Sequence, residues 1–328
     1  MTNILVTGGA GYIGSHAVRV LKQAGFEPLI YENFSRGHRQ AVEGFKVVEG
    51  DISDLEKLRR VIKDYGAAAV MHFAAHSQVG ESVEKPALYY ENNVGGGLTL
   101  LQAMLETGVN LFIFSSTAAV YGEPQQVPIP EEHPLRPTNP YGATKAVLEQ
   151  ALAYYERSYG FRSISLRYFN AAGAAERGGI GEDHSPETHL VPLVIEAALG
   201  RGERLTVFGS DYPTPDGTAV RDYIHVDDLA DAHLLALEAL LKGGKSAVYN
   251  LGNGKGYSVL EVIRVAEKVM GLEVPYDVGP RRAGDPAVLV ASAEKAGAEL
   301  GWKPRFGRLE KIVESAYLWH KDHPKGFN

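Results

Sequence analysis

The run Gly8-Gly9-Ala10-Gly11-Tyr12-Ile13-Gly14 constrains this chain more than any other feature. It follows a short apolar segment, Ile4–Thr7, and opens a stretch of helical character from Ile13 to Ala24. Glycines at such a junction permit a tight turn. They also let backbone N–H groups approach a pyrophosphate at a helix N-terminus, where the helix dipole favours negative charge. A glycine-rich turn is common, so its surroundings decide. Glu32 closes the next strand-like run, 18 residues after Gly14. A carboxylate there accepts hydrogen bonds from an adenosine ribose and repels a 2′-phosphate, which favours NAD over NADP. Asp51, in Gly50-Asp51-Ile52 after the third run, is placed to reach the adenine by the same topology. Taken alone it serves equally well as a helix N-cap.

The first half alternates short β-branched runs with helical stretches, the signature of a parallel sheet wrapped by crossover helices. The expected strands are Ile4–Thr7, Pro28–Glu32, Lys46–Glu49, Ala69–Phe73, Leu111–Ser115 and Ser163–Arg167. The expected helices are Ile13–Ala24, Leu55–Asp64, Asn92–Glu106 and Tyr141–Ser158. After Asn170 the texture changes, with Gly, Pro and polar residues crowding 171–188 and 209–217. The pattern predicts an α/β fold, a Rossmann-type doubly wound parallel sheet with a smaller, loop-rich C-terminal substrate lobe. The division falls at 1–169 for the NAD-binding domain and 170–328 for the lobe. A helix at Val226–Leu241 and a strand at Ala247–Leu251 suggest that 222–252 rejoins the main sheet.

Asn139-Pro140-Tyr141-Gly142-Ala143-Thr144-Lys145 carries the chemistry. Asn139 is a good N-cap and Pro140 suits the first helical position, so Tyr141 and Lys145 become an i, i+4 pair on one face. A tyrosine is a poor base at neutral pH, and lowering its pKa from ~10 to ~7 needs about 4 kcal/mol. One ammonium at ~4 Å in a site of effective dielectric ~20 supplies about that much, and a positive nicotinamide ring adds to it. The expectation is a Tyr141 phenolate that removes a sugar hydroxyl proton while hydride leaves the same carbon. Thr117, in Ser115-Ser116-Thr117 at the carboxyl end of the fifth strand, lies where open sheets place ligands and can relay that proton. Without an NAD fold in front of it, a YxxxK spacing reads as an exposed helix face, and Thr117 as a turn cap.

With Gly8xxGly11xxGly14, Thr117 and Tyr141xxxLys145 in this order, the chain resembles the extended short-chain dehydrogenase/reductase family. Phe73-Ala74-Ala75 through Ser82, Tyr90–Val94, Phe114–Gly122 and Leu166-Arg167-Tyr168-Phe169-Asn170 are similar to its UDP-sugar 4-epimerases. So are Gly209–Thr218 with Arg221–Val226, and Arg281–Asp285. The resemblance spans essentially the whole chain. It implies reversible C4 epimerisation of UDP-glucose and UDP-galactose through a transient 4-keto sugar and NADH. It further implies that Tyr12, Ile13, Asn33, Asp51, Ile52, Phe73, Ala74, Ala75, Asn92, Thr117, Tyr141, Lys145 and Phe169 contact NAD. Thr117, Tyr141, Tyr168, Asn170, His189, Leu190, Phe208, Arg221, Tyr223, Arg282, Asp285 and Leu289 would face the UDP-sugar. Two arginines suit a diphosphate and an acid suits a ribose diol. Several positions depart from the common pattern: Glu32 for aspartate, Ser77 for a cofactor-contacting lysine, His189 for a substrate-facing asparagine, and Leu289 for an often aromatic gate beside the sugar.

Other activities fit less well. A dehydratase or decarboxylase of this family carries acids directly after the Thr117 position, and here stand Ala118 and Ala119, which cannot exchange protons. A 4-epimerase of UDP-xylose/arabinose or UDP-glucuronate remains open. So does a non-catalytic NAD-sensing module, although that has no need of Thr117, Tyr141 and Lys145 together. The net charge of -7, without a basic stripe, argues against nucleic acid. No apolar run approaches the ~18 residues of a membrane span. The chain has no cysteine and begins directly on strand-like residues, which reads as cytoplasmic. Apolar residues in 92–106 (Leu98, Leu101, Ala103, Leu105) and 141–158 (Val147, Leu148, Ala151, Leu152, Tyr155) exceed one buried face and suggest a homodimer. The pairs His72/His76, His184/His189 and His320/His323 have no carboxylate evidently spaced to complete a site, so no metal is expected.

Overall fold

The structure is a computed structural model and describes residues 1–282 and 285–328. Ala283 and Gly284, inside the Arg281–Asp285 motif, lie outside the described residues. The first half runs β1 (Asn3–Thr7), α1 (Tyr12–Gln23), β2 (Glu27–Glu32), β3 (Lys46–Glu49), α2 (Leu55–Tyr65), β4 (Ala69–His72), α3 (Val79–Glu84), α4 (Pro86–Tyr89), α5 (Gly97–Thr107), β5 (Leu111–Thr117), α6 (Pro140–Tyr159) and β6 (Arg162–Tyr168). The chain continues through β7 (Asn170–Ala172), α7 (Leu190–Ala198), β8 (Leu205–Phe208), β9 (Val220–His225), α8 (Val226–Leu241), β10 (Ala247–Leu251) and β11 (Gly256–Ser258). It ends in α9 (Val259–Met270), β12 (Tyr276–Gly279), β13 (Val288–Leu289), α10 (Glu294–Leu300) and α11 (Leu309–Asp322).

Seven strands form one sheet in the order β10-β6-β5-β4-β1-β2-β3, every pairing parallel. The near-continuous apolar runs have their reason here, because each central strand buries both faces. Ile4 and Val6 enter one core with Val18 and Leu21 of α1. Leu5 enters the other with Leu58 of α2, Leu100 of α5 and Leu148 of α6. β5 divides likewise, Leu111 and Ile113 to one side and Phe112 and Phe114 to the other. The strand order reverses between β1 and β4, which opens a crevice at the carboxyl ends of these two strands.

The expected strands are present to within two residues, and 247–251 pairs with β6 in the main sheet. One expectation needs correcting. The helix predicted from Asn92 begins as a wide π-helical segment at Tyr90–Gly96 before turning α-helical. A Cβ on Gly96 would sit 2.6 Å from the Ile52 side chain, and one on Gly97 would sit 2.7 Å from Leu148. The chain is therefore pressed at once against the turn after β3 and against α6. Such widened turns are frequent at functional sites.

The remainder is more regular than its loop-like texture suggests. β9 pairs with β7, β11 and β13 in a small sheet, and β8 pairs with β12. Val194 and Ile195 of α7, Val262 of α9, and Ile312 and Val313 of α11 make their core. No helix among the described residues is long and apolar enough to cross a membrane.

Candidate active site

The glycine-rich turn leads from β1 into α1 at the crevice. Gly8 adopts φ +73°, and a Cβ on it would sit 2.4 Å from the Ala74 backbone nitrogen. A Cβ on Gly14 would sit 2.2 Å from the Gly8 carbonyl. Both glycines are demanded by the fold itself. Gly11 is different: a Cβ there meets only the Gly8 carbonyl, at an ordinary 3.4 Å. Room on that side suits the close approach of a ligand backbone such as a pyrophosphate. The turn therefore fits a dinucleotide.

Gly8, Gly11, Glu32, Asn33, Ile52, Phe73, Ala74, Ala75 and Asn92 line one cleft. Tyr12, Ile13 and Gly14 begin the helix beneath it. Glu32 is buried at the end of β2, its carboxylate accepting from the backbone N–H groups of Asn33 and Phe34, both at 3.1 Å, and of Ala10 at 3.3 Å. Burial nevertheless keeps its pKa above the ordinary value. The Asn33 amide donates to Asp51 at 2.7 Å. Burial works to raise the Asp51 pKa, but hydrogen bonds from Ser53 and Asn33 outweigh it and leave the carboxylate below its usual value.

α6 presents the chemistry. The Asn139 side chain accepts from the Gly142 N–H at 2.9 Å, Pro140 opens the first turn, and Gly160 closes the helix at φ 71°. Tyr141, Lys145 and Glu149 follow at i, i+4 and i+8, all buried. Thr117, the last residue of β5, caps a short 3-10 turn through its hydroxyl. It therefore serves as a turn cap and stands beside the tyrosine at once. Burial pushes the Tyr141 phenol above its ordinary pKa, and the Thr117 hydroxyl beside it opposes the rise.

Lys145 turns to the backbone of β5. Its ammonium donates to the Ser115 carbonyl at 2.9 Å and lies 6.0 Å from the centre of the Tyr141 ring. Burial lowers its pKa to about 7, against the pull of Glu149. In the protein alone burial raises the phenol, so the fall to neutrality expected of this tyrosine is left to the cofactor-bound state.

The small sheet carries four of the residues expected to face the nucleotide sugar, Asn170, Arg221, Tyr223 and Leu289. Asn170 on β7 is in register with Tyr223 on β9, and Leu289 on β13 with Arg221 on β9. The Asn170 amide donates to the Asp222 carbonyl at 3.2 Å. Arg221 donates to Asp285 at 2.5 Å, and the Arg282 guanidinium lies 4.0 Å over the Phe208 ring. Leu289 and Phe169 pack on Ala118, Val120, Tyr121 and Ile129, so the gate position adjoins the turn after Thr117. Tyr168 is buried, hydrogen-bonded to Ser115, and its pKa is raised by burial and by Tyr141. His189 holds the N-cap position of α7 without a side-chain cap, and Leu190 is the first helical residue.

Two groups of functional interest escaped the sequence. Behind Lys145, Arg167 donates to Glu149 from Nε and Nη2 and from Nη1 to the Tyr121 hydroxyl at 2.9 Å, which in turn donates to Asn250 at 2.6 Å. The i+8 position of Glu149 was its one sequence signal. The second group corrects the expectation that no carboxylate completes the His184/His189 pair. The Glu182 carboxylate meets both imidazoles, and Glu187 approaches His184. Burial lowers the imidazole values, but Glu182 prevails and holds His184 up at about 10.

The profile of the NAD dependent epimerase/dehydratase family matches residues 4–252. The chain belongs to that family. It is 53% identical to a UDP-glucose 4-epimerase of Halalkalibacterium halodurans, over 99% of this chain and 97% of the relative. A UDP-glucose 4-epimerase from Brucella ovis, solved in complex with NAD, is 47% identical and superposes with a TM-score of 0.95, covering 97% of this chain and 98% of the other. The Bifidobacterium longum enzyme, solved with NAD+ and UDP, is 41% identical with a TM-score of 0.94 over 99% and 100%.

Proposed function

We infer that this chain catalyses the reversible C4 epimerisation of UDP-glucose and UDP-galactose, with NAD as its cofactor. One observation carries the reading: Tyr141 and Thr117 meet at the carboxyl end of β5, in a chain about half identical along its whole length to UDP-glucose 4-epimerases. Residues 1–169, with 222–252 rejoining them, form the NAD-binding domain, and 170–328 form the UDP-sugar lobe. The glycine turn, Glu32, Asn33, Asp51, Ile52, Phe73–Ala75, Asn92 and Phe169 hold the dinucleotide. When bound, NAD supplies the acceptor and later the donor of the C4 hydride, passing through NADH. Tyr141 takes the C4 hydroxyl proton, with Thr117 relaying it and Lys145 anchoring the helix face against the Ser115 carbonyl. Asn170, Leu190, Phe208, Arg221, Tyr223, Arg282 and Asp285 grip the UDP end, so the 4-keto sugar can turn about that anchor and return its other face. His189 and Leu289 border the sugar. Ala118 and Ala119 leave no acid or base for dehydration.

The molecule acts as a homodimer through α5 and α6. Cytoplasmic residence accords with both nucleotides being charged phosphate esters that do not cross membranes unaided. The test is a panel of UDP-sugars assayed for C4 inversion with no NAD added. Interconversion of UDP-glucose and UDP-galactose is expected. Turnover confined to pentose or uronate sugars would move the substrate, and bound NAD left unreduced by every sugar would mark a sensor. Cofactor extracted from purified protein should be NAD, and NADP as the main species would overturn the role of Glu32.

A further inference from the structure

Glu182, His184, Glu187 and His189 stand on the segment between β7 and α7. Each offers one ligand atom, and these four atoms lie within 4.8 Å of one another, the one such group among the described residues. His184 Nδ1 lies 3.1 Å from Glu182 Oε1 and 3.7 Å from Glu187 Oε2. His189 Nδ1 turns to the same Glu182 oxygen. A tetrahedron of zinc–nitrogen and zinc–oxygen bonds near 2.05 Å has edges of about 3.3 Å, so the two measured separations straddle what a four-coordinate cation requires.

The ligand atoms are also held in place. The Glu182 side chain is 3% exposed, and its backbone carbonyl accepts from the Trp319 indole at 2.9 Å. The other Glu187 oxygen is occupied by the N–H groups of Thr188 and His189, at 2.7 and 2.8 Å, which leaves Oε2 aimed inward. His38 meets the Asp183 carbonyl at 2.9 Å, Arg36 donates to that of Ser185 at 2.7 Å, and Gln78 to that of Pro186 at 3.0 Å. The segment is thus fastened to the first domain, and the His184 ring meets the Tyr12 ring edge-on at 6.2 Å.

We propose that these four residues bind one divalent transition-metal cation, of the zinc class, which cross-links the segment ahead of α7. Two imidazoles select a borderline cation over magnesium or calcium, which take oxygen ligands. Two carboxylates neutralise its charge, so the cation sits without net cost in formal charge. Its role is structural, and because His189 also borders the sugar in the proposed function, binding is read on the metal itself and not on turnover.

The test uses the full chain with its bound cofactor, freed of metal by chelator and titrated with Co2+ and then Zn2+ in equilibrium dialysis. One cation per chain is expected, with the visible absorption of four-coordinate Co2+, bleached when Zn2+ displaces it. Zn2+ should raise the unfolding midpoint by about 3 °C. Glu182→Gln and His184→Asn should each weaken binding at least ~100-fold, more than loss of an outer-shell partner costs. If Glu182→Gln fails to fold, Glu187→Gln, whose side chain is 17% exposed, carries the same expectation. No saturable binding, or binding unchanged in the folded variants, overturns the proposal. Such a result would leave the cluster as an ion-pair network only.

Discussion

Tyr141 sits where its phenol is harder to ionise, because burial removes the water that would solvate the phenolate. The i, i+4 spacing with Lys145 was legible in the sequence, and so was Thr117. The direction of the electrostatics was not, because it depends on how deeply the α6 face is buried and on the Ser115 carbonyl that claims the lysine. The phenol should therefore stay neutral in cofactor-free protein and ionise nearer neutrality once the positive nicotinamide lies beside it. Phenolate absorbance of wild type minus Tyr141→Phe, titrated with and without NAD, measures this, and identical curves would count against it. Tyr141→Phe should keep its fold and its NAD while turnover falls at least ~100-fold, the usual effect of losing a positioned general base. Leu289 was legible only by resemblance, and its packing beside Ala118 places it next to the turn after Thr117. Leucine leaves more room than a tyrosine at the gate but offers an acetamido group no hydrogen bond. One such difference in pocket shape is worth about 1–3 kcal/mol. We expect weak UDP-GlcNAc activity beside efficient UDP-glucose turnover, and Leu289→Tyr should lower the ratio of the two kcat/KM values. An unchanged ratio would show that Leu289 is not the gate.

Elements were most legible where one local signal sufficed. The central strands announced themselves because burial on both faces forces continuous apolar runs, as in Leu111–Phe114. α6 announced its start through Asn139 and Pro140. The π-helical segment at Tyr90–Gly96 gave no such signal, since its cause lies in Ile52 and Leu148, far away in sequence. The small second sheet was hidden for a similar reason: β7, β11 and β13 are two or three residues long and exist through their pairing with β9. The glycine turn gives a prediction at this scale. Gly14→Ala forces a methyl to within 2.2 Å of the Gly8 carbonyl. A clash of that kind costs about 1–3 kcal/mol, lowering the unfolding midpoint by several degrees. Gly11→Ala meets only an ordinary contact, so the chain should fold with an unchanged midpoint yet bind NAD more weakly. Calorimetry on stripped protein, with NAD titration beside it, separates the two. Equal losses of stability would remove the argument that Gly11 serves the ligand.

At the scale of the whole molecule, the change of texture after Asn170 suggests a division but not how its two sides are joined. The Tyr12 hydroxyl donates to the Gly173 carbonyl at 2.6 Å, and Arg36 reaches Ser185. These contacts cross well over a hundred residues of chain, which no local pattern encodes. The surplus of apolar residues on the two long helices was legible, and the structure divides it. Leu101, Ala103, Leu148 and Leu152 belong to the core between sheet and helices. Leu98, Leu105, Val147 and Tyr154 remain 37 to 58% exposed on α5 and α6. Single exposed hydrophobes need no explanation, but four on two helices that touch each other form a patch suited to a second copy. A two-fold interface is self-complementary, so each substitution enters it twice. Leu98→Glu with Val147→Glu therefore buries four carboxylates without partners, at about 1–3 kcal/mol each. Even the low end, about 4 kcal/mol in total, weakens a dimer roughly a thousandfold. Light scattering coupled to size exclusion should find two chains per particle in the wild type and one in the double variant. The variant should keep the far-UV signature of the fold, because neither side chain belongs to the core. A wild type that elutes as a single chain would refute the pairing and leave α5 and α6 as ordinary surface helices.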